Sequence, residues 1–168
     1  IEMILQYSLI GNVNYITDQQ DVLDTRQQEL SLRTALESGD TFWLGYTRNV
    51  EFLDEPFRLR GRVLVLPGSY YSDTIRANVG TYRGRRVSGW FQFQREFGFW
   101  GGDRVSMDLN PRLKWSEKLS FGFQFRLDDV DLPEGEFSSK VSKIEINYNF
   151  NNNWLTRTTL QYDSIQDV

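Results

Sequence analysis

The sequence contains neither cysteine nor histidine among its 168 residues. Without a thiol there is no disulfide, no cysteine nucleophile and no thiolate metal site. Without an imidazole, the usual zinc sites and a Ser-His-Asp triad are excluded as well. We therefore expect a protein that is not an enzyme and that carries no cofactor.

Long apolar runs are also missing, and acidic residues outnumber basic ones by 23 to 19. No stretch approaches the roughly 18 consecutive apolar residues of a membrane helix. The acidic balance disfavours a nucleic-acid partner, which needs a basic surface. A transmembrane β-barrel stays open, because each of its strands gives a much weaker hydropathy signal.

Aromatic residues and strict alternation are what the sequence has in abundance. Phe, Tyr and Trp make up 15% of the chain. In nine segments the apolar residues recur at every second position; Phe121, Phe123 and Phe125, for example, alternate with Gln124 and Arg126. A period of two is the repeat of a β-strand with one apolar face. Most segments have about ten residues, the length that crosses a bilayer at a tilt.

The connections between these segments alternate between two kinds. Tight polar connections at 37–40, 83–86, 116–118 and 151–153 take turns with generally longer ones at 18–24, 54–69, 98–103 and 128–138. Aromatic residues cluster near both ends of the predicted strands. Short turns at one end, longer loops at the other and two aromatic levels are typical of outer-membrane barrels.

These patterns predict an all-β fold, an antiparallel up-and-down transmembrane β-barrel in a single domain over residues 1–168. Because bacterial single-chain barrels have even strand numbers, nine strands indicate a portion of a larger barrel. The start at Ile1 instead of Met also indicates a processed chain or a segment. A complete eight-stranded barrel with one misassigned segment is the alternative within that class, and a soluble β-sandwich or lipocalin-like barrel is the alternative outside it.

Three residues fit the pattern poorly. Arg48 and Arg95 fall on the apolar faces of their strands, where an arginine facing lipid costs about 2–4 kcal/mol at the midplane. We expect Arg95 to reach the membrane interface and a β-bulge to redirect Arg48. Pro111 lies within a strand and removes one ladder hydrogen bond.

The loop and turn sequences resemble one protein family. The runs that carry the resemblance are 52–57, 66–70, 101–104, 127–137, 153–155 and 160–164. Over residues 13–168 they are similar to the C-terminal barrel region, a domain of unknown function, of large bacterial proteins with a carbohydrate-binding family 9-like domain. The resemblance implies further barrel strands after Val168 and a soluble sugar-binding-like domain before the barrel.

Together these features predict an outer-membrane barrel domain of a Gram-negative bacterium. It is expected to be a channel or transport component for a glycan or small-molecule solute. The alternative is a plugged barrel that anchors the attached soluble domain, and a soluble binding module is a third reading. The expected partners are outer-membrane lipid and lipopolysaccharide, with other outer-membrane or periplasmic proteins.

Charged residues on the polar strand faces are the candidate lumen lining. They either set solute selectivity or form ion pairs that fill the interior. The candidates for selectivity are Arg76, Glu96, Asp108, Arg112, Arg126 and Glu145, within a wider set that also includes Glu29, Arg33, Lys143, Arg157 and Asp163. Trp43, Trp90 and Trp100 are candidate aromatic contacts for a sugar ring, or residues that plug the barrel.

An acidic segment after the predicted strand that ends at Leu127 carries five carboxylates. Calcium prefers such hard oxygen ligands, but the spacing matches no EF-hand, so the segment is a weak metal candidate beside a solvated loop tip. Its residues are Asp128, Asp129, Asp131, Glu134 and Glu136.

Overall fold

Nine long strands form one antiparallel sheet, as the alternation predicted, and each pairs with the next long strand in the chain. The computed structural model describes residues 3–17, 23–59, 61 and 63–166. No described helix is long and apolar enough to cross a membrane. The long strands are β1 (Ile4–Thr17), β2 (Leu23–Leu36), β3 (Thr41–Leu53), β6 (Gly68–Gly80), β7 (Val87–Phe99), β8 (Gly102–Lys114), β9 (Leu119–Leu132), β10 (Gly135–Asn151) and β11 (Trp154–Gln166); β4 (Phe57–Leu59) and β5 (Val63–Val65) form a separate hairpin.

The sheet is open, because β1 and β11 each pair with a single neighbour. The all-β antiparallel prediction is therefore confirmed, and closure into a barrel is not seen among the described strands. We call the end of the sheet with the β2–β3, β6–β7, β8–β9 and β10–β11 connections the turn end, and the opposite end the loop end.

Strand pairing divides the side chains into two faces of opposite character. The apolar face contains one unbroken apolar row across seven strands, made of Leu9, Leu32, Leu44, Ala77, Phe93, Met107 and Leu127. The next row belongs to the polar face and consists of Arg33, Trp43, Asn78, Gln92, Asp108, Arg126 and Val141. Successive side chains of a strand point to opposite faces. These two rows therefore determine the face on which each remaining strand residue lies.

Among the described residues, no layer covers the apolar face. Leu44 is 53% exposed, Leu109 is 40% exposed and Leu160 is 63% exposed. Val50 is the exception, because it is buried on this face of β3. Exposed apolar residues that continue across several neighbouring strands are typical of a face that another surface covers.

The main hydrophobic cluster lies at the loop end of the polar face. The hairpin β4–β5, within the predicted 54–69 loop, contributes Val63 and Val65 to it. The long strands β9 and β10 contribute Val130, Leu132 and Phe137, which share the face of Arg126 and Asp128. The hairpin therefore folds over the polar face and covers its loop end.

Two predicted loops are tight turns instead. β7 and β8 are separated by Trp100 and Gly101, and β9 and β10 by Pro133 and Glu134. The 98–103 and 128–138 segments were assigned to loops wrongly, because their strands continue beyond the predicted ends. The β7–β8 turn depends on glycine, since Gly98 has φ 75° and a Cβ there would collide with the carbonyl oxygen of Tyr71.

The expected β-bulge at Arg48 is also wrong. Pairing of β3 with β2 and with β6 continues through Arg48 without a register shift. Its charge is balanced by Asp73, directly opposite on β6, whose two carboxylate oxygens accept hydrogen bonds of 2.9 and 3.2 Å from the Arg48 guanidinium. Tyr46 donates a third bond to Asp73, so the arginine stays on the apolar face with a partner.

Candidate functional site

The polar face brings together most of the charged residues that the sequence suggested, and cross-strand register decides which of them meet. Asp108 lies opposite Arg126, and one of its carboxylate oxygens accepts hydrogen bonds of 2.8 and 2.6 Å from Nε and Nη2 of Arg126. Asp108 is buried, and among the described residues its other oxygen has no hydrogen-bond partner. The pair joins an exposed guanidinium to a buried carboxylate that has spare acceptor capacity on one side.

A second ion pair lies one row nearer the loop end. Arg104 donates to both oxygens of Asp128, at 2.8 and 3.1 Å, and Ser106 donates to the same carboxylate at 3.0 Å. Paired and fork-shaped contacts of this kind hold a carboxylate in one orientation. Asp128 thus belongs to a structural pair rather than to a loop tip.

The other acidic candidates are dispersed. Asp129 and Asp131 point to the apolar face of β9, and Glu134 lies in the turn after it. Glu136 is on β10, opposite Asp131. Within the described part of the chain, no group of three acidic side chains is arranged to hold a metal ion.

Arg76 and Glu96 have lighter contacts. Arg76 donates to Gln94 at 2.9 Å, and its guanidinium lies 5.8 Å from the centre of the Trp43 ring. The Trp43 ring lies across Gly45, where the lack of a side chain leaves room for it. Glu96 is buried and accepts a hydrogen bond of 3.0 Å from Ser72.

Glu145 is the centre of a third polar group, on β10 and β11. Asn147 donates to it at 2.9 Å, while Lys143 and Arg157 approach within 3.6 and 3.7 Å. Arg157 in turn donates to Asn147 at 2.9 Å. Five of the six selectivity candidates, all except Arg112, therefore have partners on neighbouring strands.

Arg112 differs from the other five. Among the described residues it has no hydrogen bond or ion pair, and its side chain is exposed. It lines a recess at the turn end of this face, the turn-end pocket, which has a volume of about 560 Å³. The pocket is lined by Gly39, Thr41, Asn78, Gly80, Thr81, Tyr82, Arg83, Ser88, Gly89, Trp90, Asn110 and Arg112.

The three candidate tryptophans lie in three different environments. Trp43 packs over Gly45 beside Arg76, and Trp90 lines the turn-end pocket. Trp100 is in the β7–β8 turn, where its ring makes edge-to-face contacts with Phe57 and Tyr70 at about 5 Å. It packs against the hydrophobic cluster, which fits the plugging interpretation better than a sugar contact.

The turns near the pocket are tied together by Asp40. Its carboxylate accepts a 2.8 Å bond from the Tyr82 backbone N–H and another of 2.8 Å from Arg85. The Tyr82 backbone bond is the main cause that holds the pKa of Asp40 below its ordinary value, and Arg85 and Ser38 add to it. Asp40 therefore fixes the β6–β7 turn, which carries Tyr82 and Arg83, against the β2–β3 turn.

Sequence reasoning missed the pocket-forming partners of Trp90. Asn78 and Asn110 were treated only as polar strand positions, and Arg83 only as a turn residue. The signal that was available is their parity: Asn78, Trp90 and Asn110 have polar-face positions near the same ends of adjacent strands.

Comparison of the chain with protein-family models, curated proteins and solved structures gives no match. The site must therefore be interpreted from its own chemistry.

Proposed function

We propose that this chain is part of the wall of an outer-membrane β-barrel, with its apolar face in lipid and its polar face towards a solute pathway. The observation that carries the proposal is where charges occur on the apolar face. In the central strands β3 and β6–β9, all of them lie towards the loop end: Arg48, Asp73, Arg95, Asp103, Asp129 and Asp131.

The charge-free part of this face is taller on β8 than on β3, where it covers only Phe42 to Tyr46. On β8 it extends from Val105 to Leu113 and continues to Trp115 beyond the strand. At about 3.3 Å per residue, Val105 to Trp115 covers about 33 Å, which a strand tilt of about 40° reduces to about 25 Å. That is the height of the apolar band on outer-membrane barrels.

The charges at its loop-end border are suited to an interface. Arg48 pairs with Asp73, and Arg95 lies 3.4 Å from Asp103 and over the Phe97 ring. Such pairs lower the cost of a charge where hydrocarbon gives way to headgroups. Lipid, with lipopolysaccharide at one border, is the partner that fits this face.

A soluble β-sandwich fits poorly, because a sandwich covers its apolar face with a second sheet. The described strands contain no such layer. The open edges of β1 and β11 and the odd number of long strands support the reading that more strands complete the ring, in the same chain or in another.

A solute pathway is supported by the unpaired Arg112 and the open pocket on the polar face. The alternative, a plugged barrel that anchors an attached domain, is favoured by the hairpin β4–β5, which covers the loop end of the same face. Nothing in either interpretation requires catalysis.

Conductance across planar bilayers separates the two. The pathway proposal expects single-channel steps from the purified protein, and Arg112→Gln should lower the preference for anions because it removes an unpaired charge from the lining. Arg95→Gln, a charge removal on the apolar face, is the matched control and should leave the selectivity unchanged. Absence of steps, with the protein folded and inserted, would favour the anchor.

Cell fractionation tests the location. The native protein should be found in the outer-membrane fraction, with an intact mass well above 19.8 kDa if the barrel is larger than this chain. Recovery of a protein of about 19.8 kDa from the soluble fraction would contradict the proposal.

A further inference from the structure

The turn-end pocket has an unbalanced positive charge. Arg83 and Arg112 line it, and no Asp or Glu is found among its described lining residues. Neither guanidinium has an ion pair with another described residue. Elsewhere on the polar face, Arg104 and Arg126 are each held by a carboxylate. Arginines that line a pocket without a carboxylate suit an anionic ligand, although the adjoining recess brings Glu145 to the other side of Arg112.

Trp90 gives the pocket a flat apolar surface. Its cross-strand neighbours are Gly80 on β6 and Asn110 on β8. Trp90 is half-buried, and Gly80 has no side chain that could reach over its indole. A Cβ at Gly80 would lie 2.8 Å from Oγ1 of Thr41, so the site has little tolerance for a larger residue there. The part of the indole that lines the pocket is an apolar contact surface for a ring.

Short polar side chains complete the lining. Asn78 and Asn110 flank Trp90, and Ser88, buried and opposite Arg112, is beside it on β7. Amides and hydroxyls both donate and accept hydrogen bonds, so they match the hydroxyl groups of a ligand. The volume of about 560 Å³ lies within the roughly 300–1,000 Å³ range of small-molecule sites.

We infer that the turn-end pocket binds an acidic sugar. Its carboxylate meets the guanidinium groups of Arg112 and Arg83, its ring lies against Trp90, and its hydroxyls bond to Asn78 and Asn110. Charge selects the anion, and the indole with the amides selects the polyhydroxylated ring over a simple anion. No bond is made or broken in this step.

This inference rests on the proposed function only in placing the pocket inside a barrel. Binding can be measured on purified protein in detergent, with no membrane and no current. Absence of binding would therefore overturn the inference and leave the barrel proposal intact. A native protein that is soluble and still binds would overturn the barrel proposal and leave the binding inference intact.

Isothermal titration calorimetry with three probes tests it: D-glucuronate, neutral D-glucose and acetate. Glucuronate should bind, and glucose and acetate should each bind at least about tenfold more weakly, since each lacks one half of the recognition. Arg112→Gln should weaken glucuronate binding at least about tenfold, because a charge-assisted contact is lost. Trp90→Leu should weaken it as well, while Arg33→Gln, outside the pocket, should not.

Far-UV circular dichroism of each variant establishes that it is folded. Equal binding of glucose and glucuronate would overturn the anionic selectivity, and equal binding of acetate would overturn the sugar. Unchanged binding by folded Arg112→Gln or Trp90→Leu, or no binding by the parent protein, would overturn the site.

Discussion

Apolar side chains are buried at the loop end of the polar face of this sheet, whereas most of those on the apolar face are partly or largely exposed. On the polar face, Val130, Leu132 and Phe137 are almost fully buried beneath the hairpin β4–β5. On the apolar face, Leu44 and Leu109 are exposed, although they belong to the more hydrophobic surface. In a sheet that folds in water, the apolar face is the one that is covered.

Under the proposed function, this inversion arises because the two faces meet different solvents. Burial of side chains on the polar face comes from the protein itself, through the hairpin and the ion pairs. The described strands provide no such cover for the apolar face, and under the proposed function lipid covers it. The following experiments disturb one face at a time.

Phe137→Ala is expected to have the largest effect. Phe137 is 1% exposed in the hydrophobic cluster, and loss of a buried aromatic ring costs about 3–5 kcal/mol. Denaturant unfolding of the protein in detergent measures the change in free energy. The matched control is Phe150→Ala on the apolar face, which is 55% exposed and should change protein stability in detergent far less. Equal losses for both would show that the faces do not differ in this way.

Leu109→Arg comes next. Leu109 lies near the middle of the charge-free band, where an arginine on the lipid face costs about 2–4 kcal/mol. Its control is Gln92→Arg, on the polar face of the neighbouring strand, where the charge meets the interior. Unfolding in lipid vesicles should show the loss for Leu109→Arg alone, and a larger loss for Gln92→Arg would argue for lipid on the other side.

Arg126→Gln tests the interior ion pairs. It leaves the buried carboxylate of Asp108 without its charged partner, and an unsatisfied buried group costs about 1–3 kcal/mol. The double variant Arg126→Gln/Asp108→Asn should recover most of that loss, because the uncompensated charge is gone. Arg112→Gln should be close to neutral for stability. If Arg112→Gln destabilised as much as Arg126→Gln, the distinction between paired and unpaired lining residues would fail.

Because the pKa of Asp40 is lowered in the folded protein, we expect a small dependence of stability on pH. Its pKa is lowered in the folded protein from the ordinary value of 3.8, chiefly by the backbone bond from Tyr82. The stability that it contributes is therefore fully present above pH 3.8 and is lost as the pH falls through the lower folded-state pKa. The midpoint of thermal unfolding should differ between the parent and Asp40→Asn at neutral pH, and the difference should shrink under strong acid. A difference that grew on acidification would have the wrong sign.

Alternation in the sequence was sufficient for the nine long strands, their order and their two faces. It did not predict the full length of a strand where the apolar residues change from one face of the sheet to the other. In the segment assigned to a loop, Val130 and Leu132 still alternate with Asp129 and Asp131, but the apolar residues now lie on the polar face. A pattern search that expects one face to keep one polarity ends the strand too early there.

Contacts between strands could not be predicted, because they depend on register. Arg48 and Asp73 are 25 positions apart in the chain and become neighbours only through the β3–β6 pairing. The same holds for Asp108 with Arg126. The hairpin β4–β5 was missed because its three-residue strands are too short to show a period.

The most direct test of the account uses two adjacent residues, Phe93 on the apolar face and Gln92 on the polar face. Because the sequence has no cysteine, Phe93→Cys and Gln92→Cys each give a single labelling site. An environment-sensitive fluorophore is attached to each, and quenching by lipids brominated along their acyl chains is measured in vesicles. We expect strong quenching at position 93 and little at position 92. Equal quenching at both positions, or stronger quenching at position 92, would contradict the claim that the apolar face lies in lipid.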